Sequence, residues 1–371
     1  MIRVLHSVSN MDRAGIETML MNYYRHIDRN KVQFDFLCNK LKPGAYDDEI
    51  KAMGGQIFHT PGLNPVKYPS YLRYMKKMFR EHPEYKIIEA HNGALGVYAL
   101  HAAKVSGIPV RIFHAHGASI TKDWKLPIKL ACKAFLPANM NQHFTCGIAA
   151  AQCYFGESVV AKGNYEWFPN AIEVERFIYN QQIRDYIREK NGLKDKNVIG
   201  HVGRFMTQKN HMFLVDIFAE FSKYDSSARL VLLGDGELLD TVKEKVRQLG
   251  LEEKVIFKGN VNNVNEWYQA FDCFMLPSVW EGLPVVGVEA QAADLPCIYS
   301  DTVTKEIALS EKAKFIHLKA PKLEWVNALK DALNMRERAD NTRLISDKRY
   351  NIKREAAKLQ NRYLELAEKN T

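Results

Sequence analysis

The 371-residue chain has no uninterrupted apolar run of about eighteen residues, so no segment is expected to cross a membrane as a helix. It is also short of paired cysteines. The six present (Cys38, Cys132, Cys146, Cys153, Cys273 and Cys297) are scattered, mostly in apolar segments, with no Cys-x-x-Cys spacing. This argues against a structural zinc site and for reduced, buried thiols. The opening MIRVLHSVSN lacks a signal-peptide layout, and a cytoplasmic location is the expectation. Internal repeats and low-complexity tracts are missing. So is any RRM, KH or helix-turn-helix signature, which weakens a nucleic-acid reading of the basic charge.

That charge is +9, with residues 1–175 carrying 21 Lys/Arg against 15 Asp/Glu. An anionic partner is implied: a nucleotide, a nucleic acid or a membrane surface. At 42.6 kDa the chain is long for a single core, so two domains are expected. Strand-like runs at Ile2–Leu5, Phe34–Leu37, Ile87–Ile88, Val110–Phe113 and His143–Cys146 alternate with amphipathic stretches such as Ile16–His26, Tyr68–Arg80 and Leu95–Ser106. A second series follows at Val198–Val202, Leu230–Leu233, Val255–Phe257, Cys273–Leu276 and Cys297–Tyr299. It is separated by helical segments at Met212–Lys223, Leu238–Leu249, Val264–Ala270 and Leu323–Met335. Such alternation predicts an α/β protein with two parallel sheets covered on both faces by helices. The expected limits are 1–175, 176–345 and a C-terminal charged helix within 346–371.

The most informative stretch is Phe274–Ala290, FMLPSVWEGLPVVGVEA. An apolar strand stops at Pro277-Ser278, a loop holds Glu281-Gly282-Leu283-Pro284, and a helix is expected from Pro284, where a missing N–H is no loss. The free N–H groups of that helix start would suit phosphate, and Gly282 would let a ligand approach the backbone. Glu281 and Glu289 would bracket the corner as acceptors for sugar hydroxyls. Taken singly, each has a plainer reading as a solvated loop or helix charge. Together with EGLP and the eight-residue spacing, they resemble the E-x7-E motif of retaining GT-B glycosyltransferases of family 4, the glycogen-synthase-like group that includes capsular and exopolysaccharide transferases.

Other elements are similar to the same family over essentially the whole chain. Gly200–Phe205 ends a strand and Lys209-Asn210 is expected to open the next helix, which resembles the family's GRxxxxK element. There Arg204 and Lys209 would bind the donor diphosphate, a planar fork beside a point charge. Leu233-Gly234-Asp235-Gly236-Glu237 is a βα turn, read mainly as structural with Gly234 near the nucleotide, and the loop Gly259–Val264, with Asn263, occupies the base-binding place. The loop Ser9–Glu17 resembles a GGxE loop with Ala14 replacing the first glycine. Its Gly15 would face donor phosphates or acceptor. The strand Val110–Phe113 runs into His114-Ala115-His116-Gly117, with both histidines on one side. An HxH pair is a metal-site candidate, but no Cys or carboxylate accompanies it locally. A structural histidine pair is the plain alternative. The resemblance gives His116 to the donor sugar, and His91-Asn92-Gly93 is a further strand-end candidate.

The resemblance implies two Rossmann-like doubly wound domains facing a cleft, with the C-terminal helix crossing back to the first. It also implies a hexosyltransferase using a UDP-sugar and no metal, and there is no DxD motif in the sequence. Catalytic roles fall to Arg204, Lys209, Glu281 and His116. Donor contacts fall to Glu289, Gly282, Leu283, Pro284, Val285, Gly203, Gly234, Asn263 and Gly15. A glycan acceptor, lipid-linked, is suggested by the basic half and by the aromatic, lysine-rich stretches Tyr68–Arg80 and Lys122–Lys133, which would rest on an anionic inner membrane face. Amphipathic helices with solvated lysines explain those stretches equally well. A nucleotide-sugar epimerase, a PLP-type phosphorylase, a silent nucleotide-sugar-binding subunit and a nucleic-acid-binding protein are the competing classes. Which sugar, which acceptor and which linkage are not encoded in any motif.

Overall fold

The computed structural model describes residues 1–62, 66–117, 119–120 and 123–370. It divides into two compact units, Met1–Ala171 with Ile352–Thr371, and Ile172–Asn351. The sequence pattern places the joins after residues 175 and 345 instead. Local bonding explains the observed ones. Pro169 and Ala171 are held by the Tyr23 hydroxyl (2.8 Å) and the Asn22 amide (3.3 Å), whereas Ile172 N–H donates to the Tyr350 carbonyl at 2.9 Å.

The first unit is a seven-stranded parallel sheet built from β1 (Ile2–Val8), β2 (Val32–Cys38), β3 (Ile57–His59), β4 (Tyr85–Ala90), β5 (Val110–Ala115), β6 (Gln142–Thr145) and β7 (Glu166–Trp167). Their order is β3-β2-β1-β4-β5-β6-β7. Side chains alternate between two buried faces. Val4, Phe34, Ile87 and Ile112 lie on one, and Leu5, Leu37, Ile88 and Phe113 on the other. The C-terminal helix Ile352–Glu368 covers the first face because Ile352, Ala356, Leu359, Tyr363 and Leu366 recur at helical spacing and are buried there. β3 and β7 were not foreseen, since two or three residues carry no readable period.

Burying both faces of β2 puts Asp35 in the core, where it needs partners. Arg3 supplies a bidentate pair at 2.6 Å, the Tyr85 hydroxyl donates at 2.8 Å and the Gln56 N–H at 2.7 Å. Asp35→Ala leaves Arg3, a side chain 15% exposed, without its carboxylate and is expected to lower the unfolding free energy by about 2–3 kcal/mol. Urea melts of wild type and variant measure it, and a loss under about 1 kcal/mol would show that the pair is not stabilising.

The second unit is a six-stranded parallel sheet of β8 (Val198–Val202), β9 (Arg229–Leu233), β10 (Val255–Gly259), β11 (Cys273–Leu276), β12 (Cys297–Ser300) and β13 (Ala313–Ile316), ordered β10-β9-β8-β11-β12-β13. The short edge strand β13 was also not foreseen. The strand order reverses at β8 and β11, with the chain stepping outward to β9 and β10 on one side and to β12 and β13 on the other, so a switch point lies at the carboxyl ends of these two parallel strands. Open α/β sheets bind ligands at such a switch point.

Candidate active site

The loop after β11 and the loop after β8 are laced together at this switch point. Asn210 donates to the Pro277 carbonyl at 3.1 Å, and Val279 N–H donates to the Gln208 carbonyl at 2.8 Å. The Gln208 amide reaches the Trp280 carbonyl (3.0 Å) and Glu281 Oε2 (3.1 Å). At the centre, Lys209 Nζ lies 2.6 Å from Glu281 Oε1, which also accepts from the Ser278 hydroxyl at 2.9 Å. The two side chains are only 14% and 8% exposed. Lys209 does not open the following helix as expected. It closes a 3-10 turn, Thr207–Lys209, and Asn210 in left-handed conformation (φ 57°) precedes the helix His211–Tyr224. Asparagine tolerates that conformation better than most residues.

Gly203 lies against this lysine: a Cβ there would meet Lys209 Cγ and Cδ at 3.2 Å. Gly234, at φ +133°, stacks so closely on the Gly203 carbonyl that a Cβ would approach it to 2.1 Å, which accounts for glycine in the turn after β9. Arg204 follows directly and is exposed, without a salt bridge among the described residues.

Downstream, Pro284 is the N-cap (ψ 114°) and the helix runs Val285–Ala292, one residue later than expected, because the extended ψ keeps proline outside the first turn. The first N–H groups of such a helix have no partner within it. Gly282 is open, with nothing within 4 Å of where a Cβ would sit, and Leu283 precedes the cap. Glu289 is not a solvated helix charge. It is partly buried, the Tyr268 hydroxyl donates to its Oε2 at 2.9 Å, and burial pushes its carboxyl up to about 7, against the opposing effect of that bond. Asn263 caps the helix Val264–Ala270 only through its backbone, its side chain being turned to Glu266 at 2.6 Å. Gln208, Ser278 and Tyr268 were not singled out from the sequence. Ser278 lay within the noted strand stop, but the partners of Gln208 and Tyr268 are too distant along the chain to leave a local signal.

The remaining two assigned residues belong to the first unit. Gly15 is exposed and starts the helix Gly15–His26 after an extended Ala14. His116 follows β5 and is not alone, and here the sequence reading needs correction: a carboxylate does converge on the HxH pair, from β4. Glu89 Oε1 is 2.7 Å from His114 Nδ1, and the Tyr363 hydroxyl donates to Glu89 Oε2. His91 Nδ1 is 2.9 Å from His116 Nε2, and His91 Nε2 is 3.0 Å from His6 Nδ1. Burial lowers His6 to about 4 and His114 to about 3, and holds His91 and His116 well below the usual imidazole range.

Comparison with known proteins matches this architecture. The family model for glycosyl transferases group 1 covers residues 183–349, and that for Glycosyltransferase Family 4 covers residues 13–176. The protein named "Putative glycosyltransferase EpsF" of Bacillus subtilis (strain 168) is 38% identical over 309 residues, covering 82% of this chain and 80% of that one. The UDP-Gal:alpha-D-GlcNAc-diphosphoundecaprenol alpha-1,3-galactosyltransferase of Escherichia coli is 26% identical over 305 residues, covering 78% and 76%. The solved structure of Anabaena Alr3699/HepE in complex with UDP has a TM-score of 0.76 at 16% identity over the whole of both chains, a likeness of fold, the GT-B fold. By identity, coverage and matched models, the chain belongs to the group 1, family 4 glycosyltransferases.

Proposed function

We propose that this glycosyltransferase transfers a hexose, with retention, from a UDP-sugar to a lipid-linked glycan during surface polysaccharide assembly. The observation that carries this reading is the Lys209–Glu281 pair fixed at 2.6 Å beside Gly203 at the switch point. An ammonium has three donors, so one can remain with Glu281 while two meet the leaving diphosphate. Exposed Arg204 supplies a second cation, and charge building on the diphosphate is stabilised by groups already in place. Glu281 Oε2 accepts from the hexose, the backbone N–H groups of Gly282, Leu283 and Val285 meet sugar and phosphate, and Glu289 accepts from the ribose. No metal is assigned to this donor site. UDP is the favoured nucleotide because a UDP-sugar stands in the Escherichia coli relative's name and UDP is bound in the Anabaena structure. That relative's diphosphoundecaprenol acceptor favours a lipid-linked glycan.

A peripheral membrane contact belongs to the same proposal. Trp124 and Phe135 are 82% and 64% exposed, Leu130 is exposed beside them in sequence, and Lys125, Lys129 and Lys133 are interleaved with them. Lys122, which begins the stretch singled out from sequence, lies outside the described residues. The helix Tyr68–Glu81, by contrast, buries Tyr71, Met75, Met78 and Phe79. Among the described residues no helix is long and apolar enough to cross a membrane.

The donor class is tested by thermal shift with UDP, GDP, ADP and CMP, then with UDP-sugars, on wild type and Arg204→Ala. Ligand at a hundred times its dissociation constant adds about 2.7 kcal/mol to stability, a rise of several degrees. A UDP-selective rise that Arg204→Ala abolishes supports the reading. No rise with any nucleotide in folded protein overturns it.

Glu289 gives the proposal a pH signature. Its folded value is raised to about 7, so burial favours the protonated form. The resulting stability is fully present below the ordinary carboxyl range and is lost as pH rises through about 7. Ribose recognition needs the ionised acceptor, and at pH 6 only about a tenth of the groups are ionised. The UDP dissociation constant is therefore expected to fall about tenfold between pH 6 and pH 8. Calorimetry at both values checks this, and Glu289→Gln should flatten the profile. A slope that persists in Glu289→Gln would assign it elsewhere.

A further inference from the structure

The first unit carries a cluster of which the family resemblance gives only His116 to the donor sugar, leaving His6, Glu89, His91 and His114 without a part in the transfer chemistry above. His6 on β1, Glu89 and His91 on and after β4, and His114 and His116 on and after β5 all fall on one face of the sheet. Strand register sets His6 opposite Glu89, and each two-residue step along β4 and β5 returns to that face. Hydrogen bonding among neutral imidazoles leaves this cluster incomplete. His114 Nδ1 is committed to Glu89, and its Nε2 has no well-formed hydrogen bond, the ring having only an interaction with the Phe168 backbone besides. Buried polar atoms are normally paired, so this weakly held ring nitrogen calls for an explanation.

We propose that His91, His114 and His116 together hold one first-row divalent transition ion of the zinc, cobalt or nickel type. One ring nitrogen from each lies within 4.8 Å of the other two. A tetrahedral ion with nitrogens at about 2.1 Å spaces them about 3.4 Å apart, so closing on an ion needs only small side-chain shifts. Imidazole selects these ions over calcium or magnesium, which take oxygen. The groups behind the ligands are already those that orient metal-bound histidines. Glu89 holds His114 through Nδ1, Tyr363 holds Glu89, and His6 holds the far nitrogen of His91. A second triplet, His6, Glu89 and His91, also meets the distance condition but is wholly buried. His116 is partly exposed, so the chosen triplet, unlike the second, is not wholly shut off from solvent.

The test uses tag-free full-length protein, stripped with chelator and titrated with Co2+, then Zn2+. One equivalent of Co2+ should develop the visible d–d bands of a tetrahedral nitrogen site, Zn2+ should displace it, and the melting temperature should rise by several degrees. His116→Ala and His91→Gln should each weaken binding at least tenfold. His317→Ala, an exposed histidine outside the cluster, should leave binding unchanged. Comparing the melting temperatures of stripped variants and stripped wild type separates loss of the site from loss of the fold. Absence of the cobalt bands together with absence of a thermal shift overturns the proposal, as does equal affinity in wild type and both ligand variants.

Discussion

Arg204→Ala is expected to reduce kcat/KM for the UDP-sugar by about 10²–10³-fold while leaving the melting temperature within about 1 °C of wild type. The catalytic figure is that of removing one preorganised donor from a developing negative charge, about 2.7–4 kcal/mol. The stability figure follows from placement. Arg204 is exposed, and no salt bridge among the described residues depends on it. Arg204→Lys keeps the charge but loses the planar fork, so an intermediate rate is expected. Steady-state kinetics with matched melting curves decide the matter, and an unchanged kcat/KM in Arg204→Ala would remove this residue from the proposed machinery.

Glu281→Ala and Lys209→Ala should behave differently, each losing activity and stability together. Removing Glu281 leaves the ammonium of a side chain only 14% exposed without its carboxylate, and takes acceptors from Ser278 and Gln208. Losing one partner of a fully buried pair costs about 3–5 kcal/mol, and the residual exposure here lowers the expectation to about 2–3 kcal/mol. The double variant should be more stable than the sum of the single losses predicts, with a coupling of about 1–3 kcal/mol. kcat/KM should fall by roughly 10²-fold in each single variant, as for loss of one electrostatic contact. A denaturation cycle over the four proteins measures the coupling. Strict additivity would mean that the 2.6 Å contact does not organise the site.

The large features were legible because they are written in local pattern. Cys273–Leu276 is a strand because a continuous apolar run must be buried on both faces, Val198–Val202 is nearly so with only His201 polar, and EGLP with Glu289 announces a loop and a helix start. What escaped was set by contacts distant in sequence. The ion pair between Lys209 and Glu281 spans 72 positions, so the sequence reading gave one to phosphate and the other to sugar without joining them. Glu89 lies 25 positions from His114, and only the parallel pairing of β4 with β5 brings them together, which is why the HxH pair looked unaccompanied. Tyr268 reaches Glu289 from another helix, and the burial that raises the carboxyl comes from packing distant in sequence, so neither had a signal in the motif.

The C-terminal helix has a further consequence, in time rather than space. Tyr363, Leu359 and Leu366 complete an apolar layer begun by Val4, Phe34 and Phe36, and Tyr363 supplies the hydroxyl that Glu89 accepts. On the ribosome, all of Ile172–Asn351 is made between the two halves of that layer. At 5–20 residues per second this is an interval on the order of ten to forty seconds. During it the nascent first unit carries an open apolar face and a carboxylate lacking its tyrosine, so the first part synthesised is the last able to finish folding.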